Sequence, residues 1–334
     1  MERFGRLYRR GKKVSVNTEE EAQTSGVPAK KMPVLEPLFK PVVRRNLGML
    51  YSSPMALWFT VFFLAPIAII VVFSFLKKGL HGNVIREFSL DAYRYLLNPT
   101  FVTITLRTLF TSFVATIITI LIALPCGYCM ARSKNQTLLL LLIIIPFWTN
   151  FLIRVFAWTN ILGNNGFINQ MLLNIGLIQK NLPLLYNQNA VILVLVYMYL
   201  PYAILPLFST IDKFDFSLLE ASRDLGASKF VSMVKILLPN IRGGIFTAVL
   251  FTFIPIFGAY AVPMLVGGKN SYMLGQRIAD FLRGERNWPA AAAISVVLTI
   301  ITTVGVLWMM HIQKKENSGK TDAKAQKTEA EGTH

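Results

Sequence analysis

Residues able to do chemistry are few here, and their spacing excludes most reactions. Three His (His81, His311, His334) and two Cys (Cys126, Cys129) leave no His/Cys zinc cage and no disulfide framework. Cys126-Gly-Tyr-Cys129 has the C-x-x-C spacing of a redox pair, but it lies in a long apolar run and reads as two small buried thiols. Gly319-Lys320-Thr321 matches the end of a phosphate-binding loop, yet Lys314 stands where its first Gly belongs and no strand precedes it. No carboxylate pair, Ser-His-Asp arrangement or metal-ligand spacing occurs, so we expect a non-catalytic chain that binds no cofactor itself.

The segment with the most specific pattern is polar. Ser217-Leu-Leu-Glu220-Ala-Ser-Arg-Asp-Leu-Gly226 reads as a short helix. Ser217 and Glu220 form an S-x-x-E capping box, and Leu218, Ala221, Ser222 and Leu225 make one small-to-apolar stripe. Gly226 can take the left-handed stop position. A second helix follows from Ser228, with Phe230, Met233, Val234 and Leu237 at helical spacing until Pro239. On helix physics alone this is a surface hairpin in which Glu220 only caps.

The elements that must position this hairpin are membrane spans. With 54% hydrophobic residues, 15% charged residues and a mean hydropathy of +0.50, the chain is expected to be all-α and polytopic. Six runs, uncharged but for Arg154, are long enough to cross about 30 Å of hydrocarbon: about Met55 to Leu76, Leu109 to Met130, Leu138 to Phe156, Ala190 to Phe208, Ile245 to Val266 and Pro289 to Ile312. Val155 to Gln179 is also uncharged, but Asn160, Asn164, Asn165, Asn169, Gln170 and Asn174 would each need a partner in lipid. We read it as an external loop with a short helix near Ile168 to Ile175. Short helical spacing also appears outside the spans at Leu90 to Leu97 and Ile278 to Leu282. These short helices would form a landing platform for a binding protein or lids lying flat on the membrane.

Placing both termini in the cytoplasm gives the inner segments twenty-three Lys and Arg and the outer loops eleven, which satisfies the positive-inside rule. The formal charge of +17 is therefore read as topology and contact with anionic lipid, not nucleic-acid binding. The expected organisation is a disordered basic tail over residues 1–50, a six-helix domain over 51–313 carrying the hairpin at about 209–242, and a disordered tail over 314–334. The first fifty residues lack the short apolar core of a secretory signal.

Glu220-Ala221-Ser222, three residues, Gly226, nine residues, then Ile236-x-Leu238-Pro239 resembles the EAA loop of binding-protein-dependent ABC importer permeases. The resemblance implies a type I importer fold in the bacterial inner membrane. It also implies a hairpin, including Asp224, Leu225, Leu238 and Pro239, that docks into a separate ATPase present in two copies, which would hold ATP and Mg2+. Glu220 would pair with a cation on that partner, Ala221 and Ser222 would allow close approach, and Gly226 would supply the bend. The usual third residue of the motif is Ala, and here it is Ser222. A second homologous permease subunit and an extracytoplasmic solute-binding protein are implied as further partners.

Phe88-Ser-Leu-Asp91-Ala-Tyr93, Pro146-Phe-Trp-Thr-Asn150-Phe-Leu-Ile-Arg154 and Asn287-Trp-Pro289 extend the resemblance from about Met55 to Ile312 and favour the branch that imports spermidine and putrescine. Pro125, Pro146, Pro201, Pro206, Pro255 and Pro263 interrupt spans two to five, as a moving pathway could use. Trp148, Asn150, Arg154 and Trp158 at the outer end of span three, with Tyr260 in span five, are candidate pathway residues; the alternative is an interfacial aromatic belt with a snorkelling Arg. Aromatic faces could receive ammonium groups. No Asp or Glu lies inside any span, so cation selection would have to come from a partner; an anionic solute would suit the local charges as well, and the resemblance extends to permeases for iron and other ions. The same absence speaks against an ion-gradient-driven transporter, which would be expected to carry an intramembrane carboxylate.

Overall fold

The computed structural model describes residues 52–80 and 82–331, so the N-terminal tail expected over residues 1–50 lies outside the described residues. The chain divides into two units, residues 1–63 and 64–334. In the first, residues 52–63 are helical and exposed, with Trp58 against Phe62 at 4.2 Å and Phe59 stacked on Phe63 at 4.6 Å. This helix, α1, runs Ser52–Ser74 with one π-turn at Thr60–Leu64.

In the second unit, β1 (Leu76–Lys78) and β2 (Val84–Phe88) form one short antiparallel hairpin within the expected, mostly helical fold. Five residues of alternating character are too few to mark a strand beside long apolar runs. The rest is helical: α2 (Asp91–Leu96), α3 (Pro99–Ala131), α4 (Gln136–Ile144), α5 (Phe151–Leu162), α6 (Phe167–Asn174) and α7 (Gln188–Ile211). Then come α8 (Ser217–Asp224), α9 (Lys229–Ser232), α10 (Leu238–Asn240), α11 (Arg242–Phe257), α12 (Ala261–Val266), α13 (Leu274–Arg283) and α14 (Trp288–Glu331). Several starts are set by a side-chain cap. Asn98 accepts from Thr100 N at 3.0 Å ahead of Pro99, and Asn187 accepts from Ala190 N at 2.8 Å.

Four helices, Ser52–Ser74, Pro99–Ala131, Gln188–Ile211 and Trp288–Trp308, are each long and apolar enough to cross a bilayer. Two bent pairs bring the number to six: Gln136–Trp148 with Phe151–Asn174 at 89°, and Lys229–Asn240 with Arg242–Phe257 at 73°. The third span, expected from Leu138 to Phe156 with Pro146 interrupting it, is broken there through nearly a right angle. Pro146 lies in a 3-10 turn (Ile145–Trp148), Thr149 is extended, and Asn150 caps a new helix by accepting from Leu152 N at 2.8 Å. The fifth also ends early. α11 has 16 residues, about 24 Å of rise, and breaks at Gly258 before α12. Pro125, Pro201 and Pro206, by contrast, sit inside continuous helices.

The C-terminal tail expected to be disordered from residue 314 is instead a continuation of α14 to Glu331. Its last stretch, Ala323-Lys-Ala-Gln-Lys-Thr-Glu-Ala-Glu331, is rich in residues of high helix propensity, which a reading based on polarity alone discounts.

Three apolar clusters hold the bundle. Ile120, Ala123 and Met130 of α3 meet Ala203, Ile204, Leu207 and Ile211 of α7, together with Leu219 and Leu237 from the loop and Ala248 of α11. A second joins Val155 and Leu162 of α5 to Val191, Val194 and Leu195 of α7 and Val262 of α12. A third sets Phe101 and Ile104 of α3 against Leu274 and Phe281 of α13 and Ala290, Ala291 and Ile294 of α14. α7 and α11 approach closely at Gly244, where an added Cβ would stand 2.4 Å from Thr210 Oγ1. At the far end, Arg277 of α13 donates to the Tyr95 hydroxyl at 2.7 Å and to Glu285 Oε1 at 2.8 Å, and its guanidinium lies 4.0 Å over Phe281. The buried Leu274 N donates to Thr108 Oγ1 of α3 at 3.0 Å. Nearby, the Tyr272 hydroxyl donates to Asp280; burial first, and then that carboxylate, push its pKa up to about 12.

Candidate coupling hairpin and solute pathway

The segment between α7 and α11 is anchored before its first helix begins. Gln136 Nε2 donates to Asp212 Oδ1 at 2.9 Å and to Ala131 O at 3.1 Å, tying the end of α7 to the end of α3. Phe216 receives Tyr128 edge-on at 6.1 Å and the Arg132 guanidinium at 5.2 Å.

α8 does not start with the expected Ser217/Glu220 capping box. Phe216 is the N-cap, and Asp215 does the capping instead, accepting from Ser217 N at 3.0 Å. Hydrogen bonds from the Ser217 side chain and backbone hold the Asp215 carboxyl below its ordinary pKa. The capping site is one turn-residue earlier than the pattern suggested because Asp215 competes for the same amide.

The buried stripe also differs from the expected one. Leu219 (1% exposed) and Ser222 (9%) face the bundle, while Leu218, Glu220, Ala221, Asp224 and Leu225 are exposed, Leu225 at 90%. Glu220 makes no ion pair among the described residues. Gly226 has φ +86° and closes a Schellman motif: Ala227 N donates to Ser222 O at 3.0 Å and Gly226 N to Arg223 O at 2.8 Å. Nothing lies within 4 Å of a Cβ built at Gly226, so the backbone angle alone demands glycine there. Ser228 then caps α9 by accepting from Val231 N at 3.3 Å, and a π-turn at Met233–Leu237 leads into α10 with Pro239 and on to α11. Leu238 is half-buried, Pro239 exposed, and Leu237 and Ile241 are 1% exposed. On its other side the hairpin shows Phe230 and Val234 to the surroundings.

The candidate pathway residues do not form one constellation. Arg154 stacks over Phe147 at 4.4 Å, Phe147 lies 6.0 Å from Tyr197, and Trp158 meets Tyr197 edge-on at 5.3 Å. This cluster sits at the break in span three and is built partly on Phe147 and Tyr197, which sequence reasoning missed because aromatic residues in apolar runs carry no separate signal. Trp148 points outward at 83% exposure, and Asn150 is occupied as a helix cap. Tyr260 precedes α12, outside α11, with the Arg283 guanidinium 5.8 Å away. Arg154 Nε and Nη1 are buried with no acceptor.

Cys126 is partly buried and Cys129 exposed, both free, which corrects the reading of two buried thiols; Cys129 lies on the outward face of α3. Gly319-Lys320-Thr321 lies within α14. Among the described residues no three His, Cys, Asp or Glu side chains approach closely enough to hold a metal ion.

Residues 46–316 match the family described as "Binding-protein-dependent transport system inner membrane component". The chain is 36% identical over 246 residues to the "Spermidine/putrescine transport system permease protein PotB" of Escherichia coli, covering 73% of this chain and 90% of the relative. The Haemophilus influenzae protein of the same name is also 36% identical, with 86% of its length covered. The Escherichia coli "Inner membrane ABC transporter permease protein YdcU" is 31% identical over 66% of this chain. Among solved structures, a chain of a bacterial ABC transporter that imports the acidic polysaccharide alginate superposes with a TM-score of 0.67 at 16% identity, covering 82% of this chain and 97% of that one. A chain of a bacterial alginate ABC transporter in complex with an alginate pentasaccharide-bound periplasmic protein gives 0.68 at 17% identity, covering 83% and 97%. The helical bundle, its broken spans and the looped hairpin between α7 and α11 are thus those of a multi-pass inner-membrane permease subunit with no hydrolytic site of its own, and the chain belongs to the binding-protein-dependent transport system inner membrane components of ABC importers.

Proposed function

We propose that the chain forms half of the pore of a polyamine importer. It pairs with a second, similar permease, receives spermidine or putrescine from an extracytoplasmic binding protein, and is driven by two copies of an ATPase that holds ATP and Mg2+. The identity to PotB supports the solute. The observation that carries the coupling role is the two-sidedness of α8: Leu219 is set in the bundle core while Glu220, Ala221 and Leu225 stand free. A groove on the ATPase can hold the free face, with Glu220 against a cation, and movement of α8 then passes through Leu219, Leu237 and Ile241 into α7, α11 and α3. Both termini and the hairpin face the cytoplasm on this reading, supported by the Lys and Arg distribution.

The test is reconstitution in vesicles with the ATPase, the second permease and the binding protein, following ATP-dependent uptake of labelled spermidine. Glu220→Ala and Gly226→Pro should each abolish uptake while the protein still inserts; normal uptake in both removes the hairpin from the mechanism. A second reading, an anionic solute, is favoured by the two Arg154 nitrogens, Nε and Nη1, whose N–H groups lack acceptors. Ligands retained by the binding protein separate the two: spermidine supports the first, a carboxylate or phosphate the second.

A further inference from the structure

We propose that Ser222 is a positioning residue that pins α8 to α9 through Ser232, so that the two helices of the hairpin turn as one body. The inference rests on the reading of the hairpin as the place where an ATPase docks, and it assigns Ser222 a role other than contact with that partner.

Ser222 occupies the motif position where Ala is usual, and its side chain is turned away from the free face of α8. Its Oγ lies 2.6 Å from Ser232 Oγ, and both residues are buried, at 9% and 1% exposure. Among the described residues this is the one side-chain hydrogen bond between α8 and α9. The protons balance: Ser232 Oγ donates to Ser228 O at 3.1 Å, which leaves its oxygen to accept from Ser222. Ser222 also receives Ala227 N on its carbonyl at 3.0 Å, so it closes the turn with main chain and side chain together.

The turn from Leu225 to Ser228 would otherwise be the soft point of the hairpin. Gly226 brings its backbone freedom there, and its surroundings are open. A push on α8 reaches α11 along two routes, the apolar contact of Leu219 and the chain through α9, the π-turn and α10. The second route transmits only if α9 cannot swing relative to α8. A buried hydroxyl pair, shielded from competing water, supplies that restraint.

The experiment uses Ser222→Ala, Ser232→Ala and the double variant in the full transporter, assembled in vesicles with its ATPase. Neither single change strands a buried hydroxyl: without Ser232 the Ser222 hydroxyl turns its one proton to Leu219 O at 3.1 Å, and without Ser222 the Ser232 hydroxyl keeps Ser228 O, so folding is retained. Each single variant should lower solute moved per ATP hydrolysed by roughly two- to tenfold while hydrolysis continues, and the double should be no worse than either. Hydrogen exchange at the amides of Ala227 and Ser232 should quicken in all three. Additive losses, an unchanged transport ratio or unchanged exchange would each overturn the pin. If uptake by the unaltered protein proves independent of the ATPase, the functional reading fails, and the exchange comparison alone then decides whether the two helices are pinned.

Discussion

Replacing Gly226 offers a graded test of how much the hairpin depends on one backbone angle. The residue sits at φ +86°, and a Cβ there would touch nothing, so the cost of each substitution is conformational and not a clash. Holding an L-residue in the left-handed region costs about 1–2 kcal/mol, so Gly226→Ala should raise opening of the last turn of α8 by roughly fivefold or more. Gly226→Asn should cost less, because Asn visits that region more readily. Gly226→Pro both forbids the angle and removes the N–H that donates to Arg223 O, which puts its cost at about 3 kcal/mol or more, a hundredfold or greater effect. Exchange at Ala227 N, the amide bonded to Ser222 O, reports the opening directly, and vesicle uptake reports its consequence. The order should be Gly, Asn, Ala, Pro in both measurements. Equal exchange in Ala and Pro variants, or full uptake in the Pro variant, would refute the argument that the Schellman turn sets the hairpin.

Three further outcomes are expected. Glu220→Ala should leave thermal stability within about 0.5 kcal/mol, since the carboxylate is exposed and unpaired among the described residues, while ATP-driven uptake is lost; melting of the purified subunit and uptake check the two halves. Leu219→Ala should destabilise the subunit by about 2–5 kcal/mol, whereas Leu225→Ala should leave its stability nearly unchanged and weaken ATPase binding, measured by denaturation and co-purification. The Asp215 cap has a lowered pKa, so its contribution is fully present above the ordinary carboxylate range and fades as pH falls through the lower folded value. Protection of Ser217 N, measured against the intrinsic exchange rate at each pH, should therefore fall on acidification from about pH 4 downward, and Asp215→Asn should remove that dependence.

The spans were legible because twenty-residue apolar runs have few alternatives, and the stop at Gly226 because few other residues tolerate its angle. The break in span three was not. Pro146 appeared as one of several prolines, yet Pro125, Pro201 and Pro206 are absorbed in continuous helices, and only Pro146 is followed by the Thr149-Asn150 pair that restarts a helix at a new angle. In the hairpin, the pattern located the helices but not the faces. Ser222 and Leu219 point inward because α7 and α11 lie there, and a helix of eight residues with Leu218 and Leu219 side by side and Leu225 at its C-cap does not declare which side will be covered. The Ser222–Ser232 bond joins residues ten apart across a turn whose geometry only the fold supplies.

The amide of Leu274 reaches Thr108, and Arg277 grips Tyr95 while Phe281 is wedged among the alanines of α14. A body landing on α13 would thus lean on two long spans at once, without any slack linker between touch and response. From Thr108, α3 runs about 30 Å to Tyr128, which meets Phe216 at the start of the hairpin. On the proposed function, one helix therefore joins the face where cargo would arrive to the hairpin where the motor would push.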